Sequence, residues 1–165
     1  MRNLDIKRKQ ILADINTASA EWTTAILEKE REASIQQDIL NSDQAQGDHS
    51  ENAVYQSAKD ALNLLNIELK NLNDKVLMYQ DFVNMNSTFE HTDSISIGST
   101  VRLRLVDDNK EFTILLVPEG LGSAKIGAVS TISPVGAALL GKKEKDTLIV
   151  KTNSGDLTYT IEEVL

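Results

Sequence analysis

Apolar residues in the first half of the chain recur every three or four positions, the spacing that keeps one stripe of a helix facing a partner helix. The clearest run is Tyr55, Ala58, Leu62, Leu65, Leu69, Leu72, Val76, Tyr79 and Val83, spaced three then four throughout, which is a heptad seam. Upstream, Leu4, Ile11, Ile15, Ala18, Trp22, Ile26, Ala33 and Leu40 follow a looser version of the pattern. The four-and-four step from Ala18 to Trp22 to Ile26 marks a local stutter. These spacings predict one helix from Asn3 to Leu40 and a second from about Ser50 to Met85, the latter about 50 Å long. The polar stretch from Asn41 to Ser50 is a bend that folds the second helix back on the first. Two helices of this length have little core of their own, so their stability comes from the shared seam. The result is a narrow two-helix rod whose bend carries the carboxylates of Asp48 and Glu51.

After a polar linker from Asn86 to Ser94 the period changes to two. Val101, Leu103 and Leu105 alternate with Arg102 and Arg104, predicting a half-buried strand over Thr100–Val106. Asp107-Asp108-Asn109 is a turn, and Glu111–Val117 returns as the second strand of a hairpin. Pro118–Gly127 is a loop with three glycines, followed by a short third strand over Val129–Ile132. Pro134–Leu140 reads as a short helix with proline in its first turn and Gly141 closing it. Thr147–Thr152 and Leu157–Val164 form a last pair around Asn153-Ser154-Gly155-Asp156. The expected class is α+β: an antiparallel two-helix coiled coil over residues 1–86, then a small antiparallel sheet domain with one short helix over residues 95–165.

Composition sharpens this division. The helical half contains no proline and no glycine other than Gly47, while both prolines and the other glycines fall in the second half. A formal net charge of −8 over 165 residues argues against strong binding to a nucleic-acid backbone, DNA included, which requires clustered Lys and Arg. With no cysteine there is neither a disulfide framework nor thiolate chemistry, and a reducing cytoplasm is the expected location. The first residues lack the apolar core of a signal peptide, and no apolar run approaches the roughly 20 residues a membrane span requires.

Asp48 and Glu51, three residues apart at a helix start, admit two compatible readings. They form a capping-box arrangement at the positive end of the helix dipole. They are also a carboxylate pair able to hold a hard cation whose shell is completed elsewhere, as Mg²⁺ commonly is. His49 between them reads as a solvated histidine, and Tyr55 as the first packing residue of the seam. Gly136–Lys143 misses a phosphate-binding loop because Lys143 stands where Ser or Thr is required. Asn86-Ser87-Thr88 fits a glycosylation sequon, which has no meaning without a secretory signal.

Gly47-Asp48-x-x-Glu51-Asn52-Ala53-x-Tyr55 resembles the tip of the bacterial GreA/GreB transcript cleavage factors. Ile132-Ser133-Pro134-Val135-Gly136-Ala137-Ala138-Leu139-Leu140-Gly141-Lys142 and Gly155-Asp156-Leu157-Thr158-Tyr159-Thr160-Ile161 resemble the same family's C-terminal segments. The resemblance implies an FKBP-like second domain that docks on bacterial RNA polymerase. It also implies a coiled coil that enters the secondary channel and meets the nascent RNA 3′ end there. On that basis Asp48 and Glu51 assist a second Mg²⁺ shared with the polymerase active site, with no cofactor in the free protein. Asn52 and Tyr55 support the tip, Lys59 contacts RNA, and Ser133 and Pro134 contribute to the docking face. The chain would act as a monomer, away from membranes, and would not itself be an enzyme: polymerase would cleave the transcript.

Departures from the family pattern are specific. No Lys or Arg occurs from Glu32 to Ala58, Ser50 stands where a basic residue is frequent, and His49 where an aliphatic one is usual. The loop Pro118–Ala124 lacks a run of acids. The missing basic residues favour an alternative in which the chain occupies the channel and modulates transcription without promoting cleavage, while Asp48 and Glu51 count against it. A prolyl isomerase or chaperone would need an aromatic-lined pocket, for which the second half offers Phe112 and Tyr159 after Phe89. A purely structural hairpin adaptor is the third alternative.

Overall fold

The computed structural model describes residues 2–44, 53–86, 94–152 and 155–165. Two long helices, α1 (Arg2–Gln44) and α2 (Ala53–Asn86), precede strands β1 (Thr100–Leu105), β2 (Lys110–Val117), β3 (Ala128–Ser130), β4 (Thr147–Thr152) and β5 (Gly155–Val164). The short helix α3 (Pro134–Leu139) lies between β3 and β4. This is the α+β arrangement expected. Helix α1 runs four residues beyond Leu40, through polar residues that satisfy one another along the helix: the Gln37 amide donates to Asn41 Oδ1 at 3.1 Å and Ser42 Oγ donates to the Ile39 carbonyl at 2.8 Å. No glycine or proline interrupts that stretch, so the helix propagates past the end of its apolar stripe.

The chain divides into two compact units, Ala18–Leu77 and Met1–Thr17 with Met78–Leu165, so the division crosses both long helices. Within the first of these, the helices run antiparallel. Lys29 of α1 pairs with Glu68 of α2, while further along α1 Gln36 and Ile39 share a groove with Val54 and Ser57 of α2. Leu40, Ala58 and Leu65 are buried, and Trp22, Ala33, Leu62, Leu69 and Leu72 are half-buried. At the stutter both Ala25 and Ile26 are half-buried, as expected where a seam passes from one helical row to the next.

In the other unit, Leu4, Ile11, Ile15 and Phe82 are buried at the base of the helices, and Tyr79 Oη donates to Asn16 Oδ1 at 2.9 Å across them. Burial pushes the Tyr79 phenol pKa up, which keeps it protonated as the donor. The predicted seam fails at its last position: Phe82, not Val83, turns inward, at 1% exposure against 40%. From Val76 through Tyr79 to Phe82 the covered positions step three and three, which shortens the seven-residue repeat by one at its end and puts Phe82, rather than Val83, on the inner side. Phe82→Ala should therefore cost about 3–5 kcal/mol, whereas Val83→Ala should stay within about 0.5 kcal/mol; urea unfolding of the two variants checks this.

The sheet order is β3-β2-β1-β5-β4. Neighbours pair antiparallel except β2 with β3, which run parallel, so the sheet is mixed rather than wholly antiparallel. The parallel step requires a crossover, supplied by residues 118–127, which include a 3-10 turn over Ala124–Ile126. Inward-facing Val101, Leu103, Ile114, Leu116, Leu148, Val150 and Ile161 pack with Leu139 of α3 and Ile95. The opposite face of β1 bears Arg102 and Arg104, paired with Glu163 at 2.7 Å and Glu162 at 3.2 Å. In β2 burial does not alternate after Thr113: Ile114, Leu115, Leu116 and Val117 are all buried. The crossover loop lies close to the helix bases, where a Cβ on Gly127 would meet Ile11 at 3.4 Å and one on Gly120 would meet Met78 at 3.3 Å.

Candidate functional site

Asp48, Glu51 and Asn52, together with His49, lie outside the described residues. Around them, α1 ends at Gln44 and α2 begins at Ala53, so residues 45–52 join the ends of two antiparallel helices. Tyr55 is half-buried in the first turn of α2, Ala58 is buried one turn on, and Lys59 is exposed. Beside this end a groove of about 310 Å³ opens between the helices, lined by Gln36, Ile39, Ala53, Val54, Ser57 and Ala58. Neither helix contributes a cation between Glu32 and Ala58. The first basic group on α1 below that stretch to engage α2 is Lys29. Its ammonium is held above its ordinary pKa, chiefly by its hydrogen bond to Glu68, with Glu32 and Glu28 contributing further negative charge. Among the described residues no group of three or more His, Cys, Asp or Glu forms a metal site.

The start of α3 is built by Ser133. Its hydroxyl accepts from the Gly136 amide at 3.1 Å and donates to the Ser130 carbonyl at 2.7 Å, and its own amide also donates to Ser130 at 3.0 Å. This is an N-cap followed by proline at the first helical position, where the missing N–H costs nothing. The Ser133 hydroxyl is thus engaged within the fold, while Pro134 is exposed and Ile132, immediately before the cap, is 65% exposed. Sequence reasoning singled out Ser133 and Pro134 but passed over Ile132. An apolar residue just before an N-cap ordinarily packs back onto the first turn of its helix, and here it stays outside.

Phe112 and Tyr159, far apart in sequence, line one groove of about 490 Å³ with Leu103, Ile114, Val129 and Val135. Nothing in either strand's local pattern signals this convergence, because it depends on β1 lying between β2 and β5.

Residues 90–165 match the family described as transcription elongation factor, GreA/GreB, C-terminal. The chain is 33% identical over 119 residues to transcription elongation factor GreA of Pseudomonas putida, covering 72% of each chain. It is 35% identical over 118 residues to that of Streptococcus sanguinis, again covering 72% of each. The crystal structure of GreA factor homolog 1 (Gfh1) of Thermus thermophilus matches with a TM-score of 0.39 at 18% identity, over 89% of this chain and 94% of that one. The chain belongs to the GreA/GreB family of transcription elongation factors.

Proposed function

We propose that this chain docks on bacterial RNA polymerase through its sheet domain, enters the secondary channel with its helical hairpin, and stimulates cleavage of the nascent RNA 3′ end in backtracked complexes. The observation that carries this reading is the carboxylate pair Asp48 and Glu51 in the segment joining two antiparallel helices of a GreA/GreB family member. The exposed Ile132 and Pro134 beside the Ser133 cap offer an apolar contact for docking. Lys59, exposed on α2 a turn beyond Tyr55, would meet RNA.

The donor set fits Mg²⁺: carboxylate oxygens are the hard ligands it takes, and it commonly accepts only one or two from a protein, keeping water or phosphate oxygens for the rest. Asp48 and Glu51 are the residues that would hold it. When bound between two such partners, the ion stabilises charge on the attacking and leaving oxygens of an in-line displacement. The chain's own part is to deliver the two carboxylates, orient them through the start of α2, and add negative charge where a polymerase site is incomplete. Tyr55 and Asn52 support that orientation. Bond cleavage belongs to polymerase, so the free protein would hydrolyse nothing; we place it in the cytoplasm as a monomer.

The absence of Lys or Arg from Glu32 to Ala58 favours a second reading, occupancy of the channel without cleavage. RNA in halted, backtracked polymerase complexes separates the two. Under the main reading, adding this protein releases short 3′ fragments and restores elongation. Under the second, elongation slows and no fragment appears.

A further inference from the structure

We propose that Lys29 and Glu68 are positioning residues, which hold the two helices in one alignment where the apolar seam thins and so aim the carboxylates at the bend. The inference rests on the function proposed above. On α1 the seam runs Trp22, Ile26, Lys29, Ala33, Gln36, Leu40, and Lys29 is half-buried in the place of an apolar residue. Below it, Trp22 and Ile26 supply large side chains. Above it the seam positions are the small Ala33 and the polar Gln36, and a groove of about 310 Å³, lined by Gln36, Ser57 and Ala58 among others, stays open between the helices. Packing alone fixes alignment poorly over such a stretch, since knobs need holes of matching size.

The ion pair supplies the missing selectivity. From Leu64 to Leu72, one turn to either side of the observed partner, Glu68 is the only acid, and Lys70 in the same window would repel Lys29. A slip of one heptad would bring Lys29 opposite Ala61 or Lys75. Every alternative register within reach therefore forfeits the pair or sets like charges together, which is how polar groups specify coiled-coil register. The lever is long: from Lys29 to Gln44 is about 22 Å of helix, so a tilt of about 10° at the pair moves the end of α1 by about 4 Å. A misplacement of about 1 Å at a reacting centre can cost about 10²-fold in rate.

The test uses the full chain, whose lack of cysteine allows spin labels at Ser34→Cys and Asn63→Cys, both exposed positions on the bend side of the pair. Lys29→Met and Glu68→Gln should each broaden the inter-label distance distribution. Each should also lower stimulated cleavage at saturating factor by roughly tenfold with unchanged affinity for polymerase. The charge swap Lys29→Glu with Glu68→Lys should restore both the narrow distribution and the cleavage rate. If the single variants keep the parent's distribution, or the swap restores helix content but not the narrow distribution, the proposal is overturned. If the unaltered chain stimulates no cleavage, the functional reading fails instead, and the distance measurement still decides the alignment.

Discussion

Asp48→Asn and Glu51→Gln should each lower stimulated RNA cleavage by on the order of a hundredfold, the scale of several kcal/mol of lost transition-state stabilisation, while leaving polymerase affinity unchanged. The asparagine substitution is chosen because it separates the two roles open to Asp48. Asparagine caps a helix about as well as aspartate, so any capping by Asp48 is kept, and only the charge a cation requires is removed. If capping were the whole role, Asp48→Asn would be silent and Asp48→Ala would cost about 1 kcal/mol of stability with a matching loss of helix. If delivery of charge is the role, Asp48→Asn fails in cleavage with normal circular dichroism, and raising the Mg²⁺ concentration restores part of the rate. Gel analysis of RNA from halted complexes, alongside a binding measurement on the same preparations, reads both quantities.

Gly136→Ala should be the most damaging single methyl in the sheet domain. A Cβ there would lie 2.0 Å from the Ser130 carbonyl oxygen and 2.8 Å from its carbon. That carbonyl cannot retreat freely: it ends β3 and accepts hydrogen bonds from both the amide and the hydroxyl of Ser133. Relief must come from moving α3, which withdraws Leu139, wholly buried in the core. The expected cost is about 3 kcal/mol or more, a fall in Tm of roughly 10 °C or more for a domain of this size. Gly141→Ala is the informative control. Its surroundings are open but its φ is +75°, so the penalty is the conformational one of about 1–2 kcal/mol. Scanning calorimetry of the full chain is the suitable measurement, since two compact units need not melt together. Polymerase affinity should fall with Gly136→Ala and not with the tip variants.

Much of the molecule was legible because its elements are written in local periods. The three-four spacing from Tyr55 to Tyr79 sets the inner side of α2 position by position, and the alternation at Val101, Leu103 and Leu105 sets the buried face of β1. Thr147–Thr152 has the same ends in sequence and structure, and Pro134 opens α3 as its fixed φ and missing donor require. The readings that needed correction all depend on partners distant in sequence. The burial of Phe82 in place of Val83 is decided at the helix bases, where Leu4, Ile11 and Ile15 of α1 are buried too. The parallel pairing of β2 with β3 follows from where the 118–127 crossover returns.

The site divides the same way. Carboxylates three apart at a glycine-marked bend between two apolar seams can be read from the residues alone, because spacing and side-chain chemistry need no third dimension. The cap that engages the Ser133 hydroxyl, the carbonyl that forbids a side chain at Gly136, the shared groove of Phe112 and Tyr159, and the partnership of Lys29 with Glu68 are products of packing. Each joins residues whose local sequence carries no trace of the other, since helix and strand periods specify which way a side chain faces but not what it will meet.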